Sequence, residues 1–534
     1  MWSALLKRPA MSGHELLLGL SVAASAIGYI ASTRNNNNNN NTMSRIADPI
    51  ADVPEYIRTH KYPAKAHNAT VRSHLATALQ EKAAEVDSAA FLIAGNNVEP
   101  NKYCDTFKQF RQERYFFYLS GVDIPGAALF YECKTQTLSL FLPEIDWDDV
   151  VWGGMPTEPK EALEKYDVDA VYYMSELNNV LAQCRDNYNC LYTTDCDNFA
   201  PLKLAQEFQD LVVPGDAQFF LALDESRLIK DQYEIEILRH VARITDNAHV
   251  AVMSALPIEI NELHLEAEFS YHAKRQGART LGYDPICCSG PACGTLHYVK
   301  NSESLAHKQS TLIDAGAEWM NYVSDVTRCF PLSGTYTKEH RAIYDAVRDM
   351  QAQTMALMKP GASWEQLHEL SHRILIKHLR QLGILRANEF SEEQMFESRV
   401  SCAFYPHGLG HLMGLDVHDV GGRPNYADPD PYFQYLRLRR PLQCGMVLTN
   451  EPGCYFNEHL VDEFLKKHPE RAKMVDFEVM ERYKHVGGVR IEDDILITKE
   501  GYENLTGVTS DPAEVEKIVQ AGLKKGRAGF HAVV

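Results

Sequence analysis

The chain of 534 residues is strongly acidic, with a formal net charge of −19, and 45% of its residues are hydrophobic. A single core seldom supports this length, so two folded domains with tails are predicted. The acidic balance argues against a nucleic acid partner, because phosphate binding requires a basic surface. Twelve cysteines occur at irregular spacing without a CxxC motif. This pattern is typical of free thiols in a reducing compartment, by default the cytoplasm.

Residues 1–61 are predicted to form a leader without ordered structure. An apolar run at residues 16–31 precedes an asparagine tract at residues 35–41. The run is shorter than the roughly 20 residues that span a bilayer comfortably. Mitochondrial targeting, secretion, an anchor, or a gene model extended upstream of Met43 all remain open. No stable membrane association is expected from the residues after Met43.

Residues 62–223 are predicted to form an N-terminal α/β domain. A helix is expected over residues 65–86, and it leads into a strand at residues 89–94. Short apolar or alternating runs predict further strands, and they are interspersed with helical stretches. The strands are expected at residues 116–119, 127–131, 138–142 and 168–174, and the helices around Glu161 and over residues 202–211.

Residues 224–510 are predicted to form a second, larger domain, and residues 511–534 a C-terminal tail. Apolar residues at helical spacing predict a long helix over residues 226–255,. Two further helices are expected over residues 345–358 and 364–382. The segments between and after these helices, which carry most of the candidate ligands described next, are predicted as strands.

Five residues of the second domain form a candidate metal site. Each alone is weak evidence, because an isolated Asp or Glu is more often a turn or surface residue. Together they offer four carboxylates and one imidazole, hard donors that suit Mn(II) and similar divalent ions. Two divalent ions would neutralise the carboxylates and lower the pKa of a shared water from ~15.7 toward roughly 7, which predicts a hydrolase. The candidate ligands are Asp314, Asp325, His411, Glu451 and Glu492.

The order of these residues and the sequences around them resemble the proline-specific metallo-exopeptidases of the pita-bread superfamily. That group contains Xaa-Pro aminopeptidase and prolidase, here in their fungal form. The resemblance rests on PHGLGHLMG around His411, on VHD at residues 417–419 and on GMVLTNEPG at residues 445–453. It implies an α/β N-terminal domain followed by an α+β catalytic domain, in which a curved antiparallel sheet is framed by helix pairs.

The resemblance also implies roles for residues around the ligands. His407, His418 and His297 are expected to face the substrate, where they could stabilise the tetrahedral intermediate, polarise the carbonyl or shuttle protons. Glu451 is expected to act as a base as well as a ligand. Arg437 and Arg490 are expected to bind the substrate, with Arg490 alternatively orienting a ligand. The stretch around Arg437 also reads as a solvated basic patch.

The implied activity is that of an Xaa-Pro aminopeptidase, with prolidase, the Xaa-Pro dipeptidase, as the alternative. Its partner would be a proline-containing peptide, its cofactors two divalent ions, most simply Mn(II), and its assembly a homodimer. Methionine aminopeptidase is disfavoured by the additional N-terminal domain and the VHD triplet. A catalytically inactive binding module and a metal-free creatinase are disfavoured because all five ligand positions are filled.

Overall fold

The computed structural model describes residues 53–80, 85–194 and 202–530. Most of the predicted leader, residues 1–52, lies outside these ranges. The remainder of the predicted leader is ordered, because helix α1 (Glu55–Thr59) buries Ile57. Within the described residues, no helix is long and apolar enough to cross a membrane.

The N-terminal domain is built on one mixed sheet of six strands. The strand order is β4-β3-β2-β1-β5-β6, and only β2 runs antiparallel to its neighbours. Apolar side chains on both faces of the central strands are buried, as expected when helices cover a sheet. The strands are β1 (Ala89–Ala94), β2 (Ala128–Glu132), β3 (Thr137–Leu142), β4 (Ala170–Tyr173), β5 (Cys190–Thr193) and β6 (Val212–Pro214). The helices after α1 are α2 (Ala64–Ala78), α3 (Arg114–Ser120), α4 (Trp147–Gly153), α5 (Pro159–Lys165), α6 (Leu177–Gln183), α7 (Gln206–Gln209) and α8 (Ala217–Leu228).

Helix α3 is the main departure from the predicted N-terminal elements, because residues 116–119 were expected to form a strand. The side chain of Glu113 accepts a hydrogen bond from the Phe116 N–H and caps the helix, and Gly121 ends it in a left-handed conformation,. Phe116 and its neighbours are buried on all sides, so the run has no amphipathic period that distinguishes a helix from a strand,. The helix expected over residues 202–211 is likewise reduced to the single turn of α7.

Two pairs of packed helices frame the catalytic domain, which confirms the predicted architecture. The first pair is α9 (Gln232–Ala255) with α10 (Glu262–Arg275), and the second is α11 (Lys338–Met355) with α12 (Trp364–Gln381). The predicted helix over residues 226–255 is interrupted, because Asp231 starts α9 with a capping box shared with Glu234,. The predicted domain boundary at residues 223 and 224 lies inside helix α8.

The catalytic strands pair antiparallel throughout. They form short sheets in the orders β11-β10-β7, β12-β9-β8, β13-β16-β17 and β14-β15. Isolated bridges such as that between Thr327 and Glu492 connect neighbouring sheets. The strands are β7 (Thr280–Leu281), β8 (Ile286–Ser289), β9 (Ser310–Asp314), β10 (Ala317–Trp319), β11 (Tyr322–Val323), β12 (Thr327–Pro331), β13 (Val447–Asn450), β14 (Gly453–Tyr455), β15 (Gly488–Arg490), β16 (Asp493–Ile497) and β17 (Tyr502–Asn504).

The remaining helices lie late in the chain. They are α13 (Glu392–Ser398), α14 (Glu458–Val461), α15 (Pro469–Ala472), α16 (Phe477–Glu481) and α17 (Pro512–Lys525). Helix α17 corrects the prediction of a tail from residue 511, because Val515 and Val519 are fully buried. It packs so closely on α9 that a Cβ at Gly522 would lie 2.2 Å from the Ser254 carbonyl oxygen.

A buried polar cluster joins the two domains at the start of α9. Nδ1 of His67, on α2, lies 2.7 Å from the Tyr118 carbonyl oxygen, and its Nε2 lies 2.9 Å from Oδ2 of Asp231. Burial alone would lower the pKa of His67, but the bond to Asp231 and the charge of Glu234 hold it above its usual value,. Tyr322 donates to Glu234 at 2.9 Å. Each of these groups is hydrogen-bonded, which fixes α2 against α9.

Candidate active site

Two of the candidate ligands are brought together by the backbone pairing around Thr327. Asp314 is the last residue of β9 and pairs with Thr327 of β12. On the other side of Thr327, Glu492 forms an isolated bridge, with its N–H donating to the Thr327 carbonyl oxygen at 3.2 Å. The Thr327 hydroxyl donates to Oε2 of Glu492 at 2.6 Å. Three adjacent backbone segments thus present Asp314 and Glu492 toward one space.

His411 and Glu451 lie on a second pair of backbone segments. Residues 409–412 run beside β13, with the Thr449 N–H donating to the His411 carbonyl oxygen at 2.8 Å and the Glu451 N–H to that of Leu409 at 2.8 Å. This close approach requires Gly410, because a Cβ there would lie 2.1 Å from the Thr449 carbonyl oxygen,. The second glycine of the HGLGH sequence, Gly410, therefore has a packing role.

His411 faces the carboxylates with one ring nitrogen. Its Nε2 lies 3.4 Å from Oδ2 of Asp325 and 3.5 Å from Oε1 of Glu451. Its Nδ1 lies 3.0 Å from the Leu412 carbonyl oxygen, and a proton on Nδ1 leaves the Nε2 lone pair directed at the carboxylates,. Ligand atoms of Asp325, His411 and Glu492 all lie within 4.8 Å of one another.

The electrostatics of the cluster suit the binding of cations. Burial, followed by the charges of Asp325, Glu451 and Asp314, raises the pKa of Glu492 well above its usual value,. Burial likewise raises the pKa of Glu451 to about 7. Burial also opposes ionisation of Asp325, but the bond to His411 keeps its pKa below the usual value. A divalent ion would relieve this repulsion, and the carboxylate and imidazole donors fit such an ion.

Tyr283 was not among the predicted site residues, yet it contacts two of the candidate ligands. Its hydroxyl lies 2.7 Å from Oδ1 of Asp314 and 2.5 Å from Oδ1 of Asp325, and it can donate to either. The surrounding sequence, GYDPICCSG, contains no motif that would have identified it. Its position beside both aspartates is a consequence of the pairing of β8 with β9.

Arg490 is buried and engaged with the protein through all of its guanidinium nitrogens. Nη2 donates to Oδ2 of Asp314 at 2.5 Å, Nη1 to the Tyr455 hydroxyl at 3.0 Å and Nε to the Thr327 hydroxyl at 3.1 Å. Of its two predicted roles, this arrangement favours the orientation of a ligand over the binding of a substrate carboxylate. Tyr455, which lies just beyond the GMVLTNEPG sequence, was also missed.

The three predicted catalytic histidines all line one cavity with the candidate ligands. His407 has its Nε2 2.8 Å from the Tyr455 hydroxyl and its Nδ1 2.9 Å from the Gly408 carbonyl oxygen. Burial and then the charge of Arg490 lower the pKa of His407 to about 3, so it is neutral. The ring of His418 lies edge-on to His411, with 4.4 Å between centroids. His297 is exposed at the cavity edge.

Arg437 differs from its two arginine neighbours. Arg439 binds Glu365 and Asp428, and Arg440 binds Glu225. Arg437 instead lines the cavity, with its Nη1 3.3 Å from the Tyr426 hydroxyl. The interpretation of this stretch as a merely solvated basic patch is therefore wrong, because two of the three guanidinium groups are ion-paired and the third faces the cavity.

The cavity has a volume of about 680 Å³, and one of its walls was not predicted. Residues 456–487 connect β14 to β15 and contain α14, a π-helical turn (Asp462–Lys466), α15 and α16. The wall that this connection contributes contains His459, Leu460, Glu463, Phe464 and His468. It packs against the 3₁₀ turn Val400–Ala403, which leads to His407.

The fold and the carboxylate–histidine cluster together define a pita-bread metallopeptidase. The chain belongs to metallopeptidase family M24, which matches residues 236–499, and residues 69–192 match the N-terminal domain of aminopeptidase P. The predicted family is thereby confirmed, as is the two-domain architecture.

Similar proteins support the same grouping. An uncharacterized peptidase of Saccharomyces cerevisiae is 58% identical over 492 residues, covering 92% of this chain and 90% of that protein. A probable Xaa-Pro aminopeptidase of Paracoccidioides brasiliensis is 43% identical over 465 residues, covering 86% and 97%. The structure of Escherichia coli aminopeptidase P with the inhibitor Pro-Leu has a TM-score of 0.71 at 30% identity, covering 87% of this chain and 100% of that chain. This chain is thus a metallo-exopeptidase.

Proposed function

We propose that this enzyme is an Xaa-Pro aminopeptidase that removes the N-terminal residue of peptides whose second residue is proline. The observation that carries the proposal is the buried cluster of four carboxylates and His411 at the base of a cavity large enough for a peptide. The similarity to fungal and bacterial Xaa-Pro aminopeptidases over both domains supports the same activity.

The proposal includes two divalent cations, most simply Mn(II), held by the five candidate ligands Asp314, Asp325, His411, Glu451 and Glu492. All five donors are oxygen or imidazole nitrogen, which favours Mn(II) over ions that prefer thiolates. When bound, the cations would supply an activated water and a positive charge for the carbonyl oxygen.

The side chains around the ligands have separate proposed roles. Glu451, which lines the cavity beside His411, accepts a proton from the attacking water and passes it toward the departing proline nitrogen,. His418 and His297 lie at the cavity, where they can donate to the carbonyl oxygen as negative charge develops,. His407, oriented by Tyr455, relays a proton on the leaving-group side. Arg490 and Tyr283 hold Asp314 in place.

Arg437 is proposed to bind the C-terminal carboxylate of a short substrate. The one arginine of its stretch that faces the cavity is suited to a bidentate bond with a carboxylate,. Because of Arg437, prolidase remains the alternative function: a dipeptidase requires such a group to bind the C-terminal carboxylate of its dipeptide substrate.

A homodimer in a reducing compartment completes the proposal. Helix α4 has no buried residue, and it exposes Trp147, Val151 and Trp152. An apolar patch of this kind on a folded domain commonly belongs to a protein interface.

The cysteines in the described part of the chain are free thiols, which suits the cytoplasm as the default compartment,.

Dialysis against a chelator should abolish activity, and Mn(II) should restore it, because the carboxylates alone cannot activate a water. The measurement is turnover of an Xaa-Pro peptide together with elemental analysis. Two divalent ions per chain are expected in the fully active enzyme. Clearly fewer than two in that form would contradict the binuclear site.

Replacement of the two histidines of the HGLGH sequence should have different consequences. His411→Ala should lose bound metal and all measurable turnover. His407→Ala should retain the metal and lower kcat by about 10²–10⁴, as expected for a proton relay. Equal metal content and equal activity in the two variants would show that the roles are wrongly assigned.

Substrate length distinguishes the proposed aminopeptidase from prolidase. The wild-type enzyme should cleave both Gly-Pro and Gly-Pro-Pro-Ala. Arg437→Ala should lower kcat/KM for Gly-Pro by about 10- to 100-fold more than for the tetrapeptide. Arg439→Ala is the matched control, since Arg439 is ion-paired away from the cavity. An enzyme that cleaves Gly-Pro but leaves the tetrapeptide intact would be a prolidase.

Trp152→Glu should dissociate the proposed homodimer, because it places a charge in the apolar surface of α4. Sedimentation velocity should show the dissociation constant rising by roughly thirtyfold or more, as for a tryptophan at the centre of an interface. Lys160→Ala on α5 makes the same change in net charge and is the control. A monomeric wild-type enzyme at micromolar concentration would refute the homodimer.

A further inference from the structure

We propose that Arg114, a residue of the N-terminal domain, is a positioning residue for His418. Through this side chain the N-terminal domain takes part in the reaction of the catalytic domain. The inference rests on the proposed function, because it takes His418 as the group that donates to the carbonyl oxygen.

The segment that carries His418 is a tight loop that begins at a candidate ligand. It leaves His411, reverses direction and returns, with the Asp419 N–H donating to the Leu412 carbonyl oxygen at 2.9 Å. Inside the loop, the Gly414 N–H donates to the Asp416 carbonyl oxygen at 3.1 Å. The His418 side chain is exposed to the cavity and makes no hydrogen bond to the part of the chain that the structure describes, so its position depends on the loop beneath it.

Two aspartates on either side of His418 hold the loop to the protein body. Asp419 has a buried side chain and accepts from Arg227 at 2.5 Å and from Lys230 at 2.8 Å. Asp416 accepts from Arg227 through Oδ2 at 2.8 Å. Arg227 therefore spans the base of the loop, while the other oxygen of Asp416 remains available to a second cation.

Arg114 supplies that second cation from the other domain. It is the first residue of α3, its side chain is only 10% exposed, and its Nε donates to Oδ1 of Asp416 at 3.2 Å. Its Nη1 donates to Oδ1 of Asn321 at 2.7 Å, and its Nη2 lies 3.3 Å from Oε2 of Glu318. The guanidinium group thus joins three points that belong to the catalytic domain.

The three residues that Arg114 binds lie in two different segments of the catalytic domain. Glu318 and Asn321 lie on the β10–β11 turn, whose second strand leads directly to Asp325. Asp416 lies in the His418 loop. By binding both, Arg114 reinforces a backbone bond between the two segments, in which the Val323 N–H donates to the Gly414 carbonyl oxygen at 2.9 Å. It thereby holds Asp416, close to His418, against the hairpin that leads to Asp325. A planar group with donors on several edges can do this, whereas a lysine at the same position provides a single point charge.

Arg111 provides a matched comparison in the same segment. It also binds Oε2 of Glu318, at 2.8 Å, but its side chain is 44% exposed and it is not bonded to Asp416. Loss of Arg111 therefore removes a similar charge from the same interface without releasing the loop. A loss of kcat that occurs in the Arg114 variant but not in the Arg111 variant is therefore due to the contacts of Arg114 with Asp416 and Asn321.

The test is a double-mutant cycle between Arg114 and His418, with turnover of Gly-Pro-Pro-Ala as the readout. Arg114→Ala should lower kcat by about 10- to 100-fold with KM and metal content nearly unchanged, because the reacting groups are misplaced while binding persists. In a His418→Ala background, the same substitution should change kcat by less than about twofold. Arg111→Ala should leave kcat within about twofold of the wild type.

Additive effects of Arg114→Ala and His418→Ala, or equal losses in Arg111→Ala and Arg114→Ala, would overturn the inference. If Arg114→Ala does not fold, Arg114→Lys replaces it and should show a smaller loss of kcat in the same cycle. Crystal structures of the Arg114 and Arg111 variants separate this inference from the proposed activity. The His418 loop should move only in the Arg114 variant, whatever substrate the enzyme prefers, and an unmoved loop would overturn the inference.

Discussion

Four carboxylates that share one buried space are the constraint on which the rest of the active site depends. Burial, and after it the mutual repulsion of the carboxylates, opposes ionisation, which is why the pKa values of Glu451 and Glu492 are raised,. The divalent ions typical of the family remove that conflict. The protein must nevertheless hold the carboxylates close together before an ion arrives. That requirement explains why they are distributed over separate strands and loops of a rigid sheet, where backbone pairing fixes their positions.

The polar groups around the carboxylates serve the same requirement. Arg490 binds Asp314 and Tyr455, Thr327 binds Glu492, and the Tyr283 hydroxyl lies between Asp314 and Asp325. Each bond removes one way for a carboxylate to rotate away from its neighbours. A buried polar group that loses its partner is costly, by roughly 1–3 kcal/mol or more when charged. The surrounding network therefore determines the geometry of the ligands as much as the ligands themselves do.

Much of the site was predictable, because the order of its motifs can be read from the sequence before the fold is known. The order of the five ligands and the sequences around His411 and Glu451 indicated both the family and the clustered ligands. Tyr283 carried no such signal, because its role arises from strand pairing across residues distant in sequence. The cavity wall around His459 and Phe464 was missed for the same reason. Helix α3 was mistaken for a strand, since a fully buried segment has no polar face to reveal its period.

Helix α3, which was predicted as a strand, also matters for function, because it carries Arg114. Its buried aromatic residues anchor it within the N-terminal domain, so its first residue, Arg114, points outward from a rigid support. The cluster of His67, Asp231 and Glu234 fixes the same domain against the start of α9. Sliding one domain over the other would leave several buried charges unpaired at once, which is strongly unfavourable. The N-terminal domain therefore behaves as a fixed part of the catalytic scaffold, and a contact made through Arg114 can be as exact as one made within the catalytic domain.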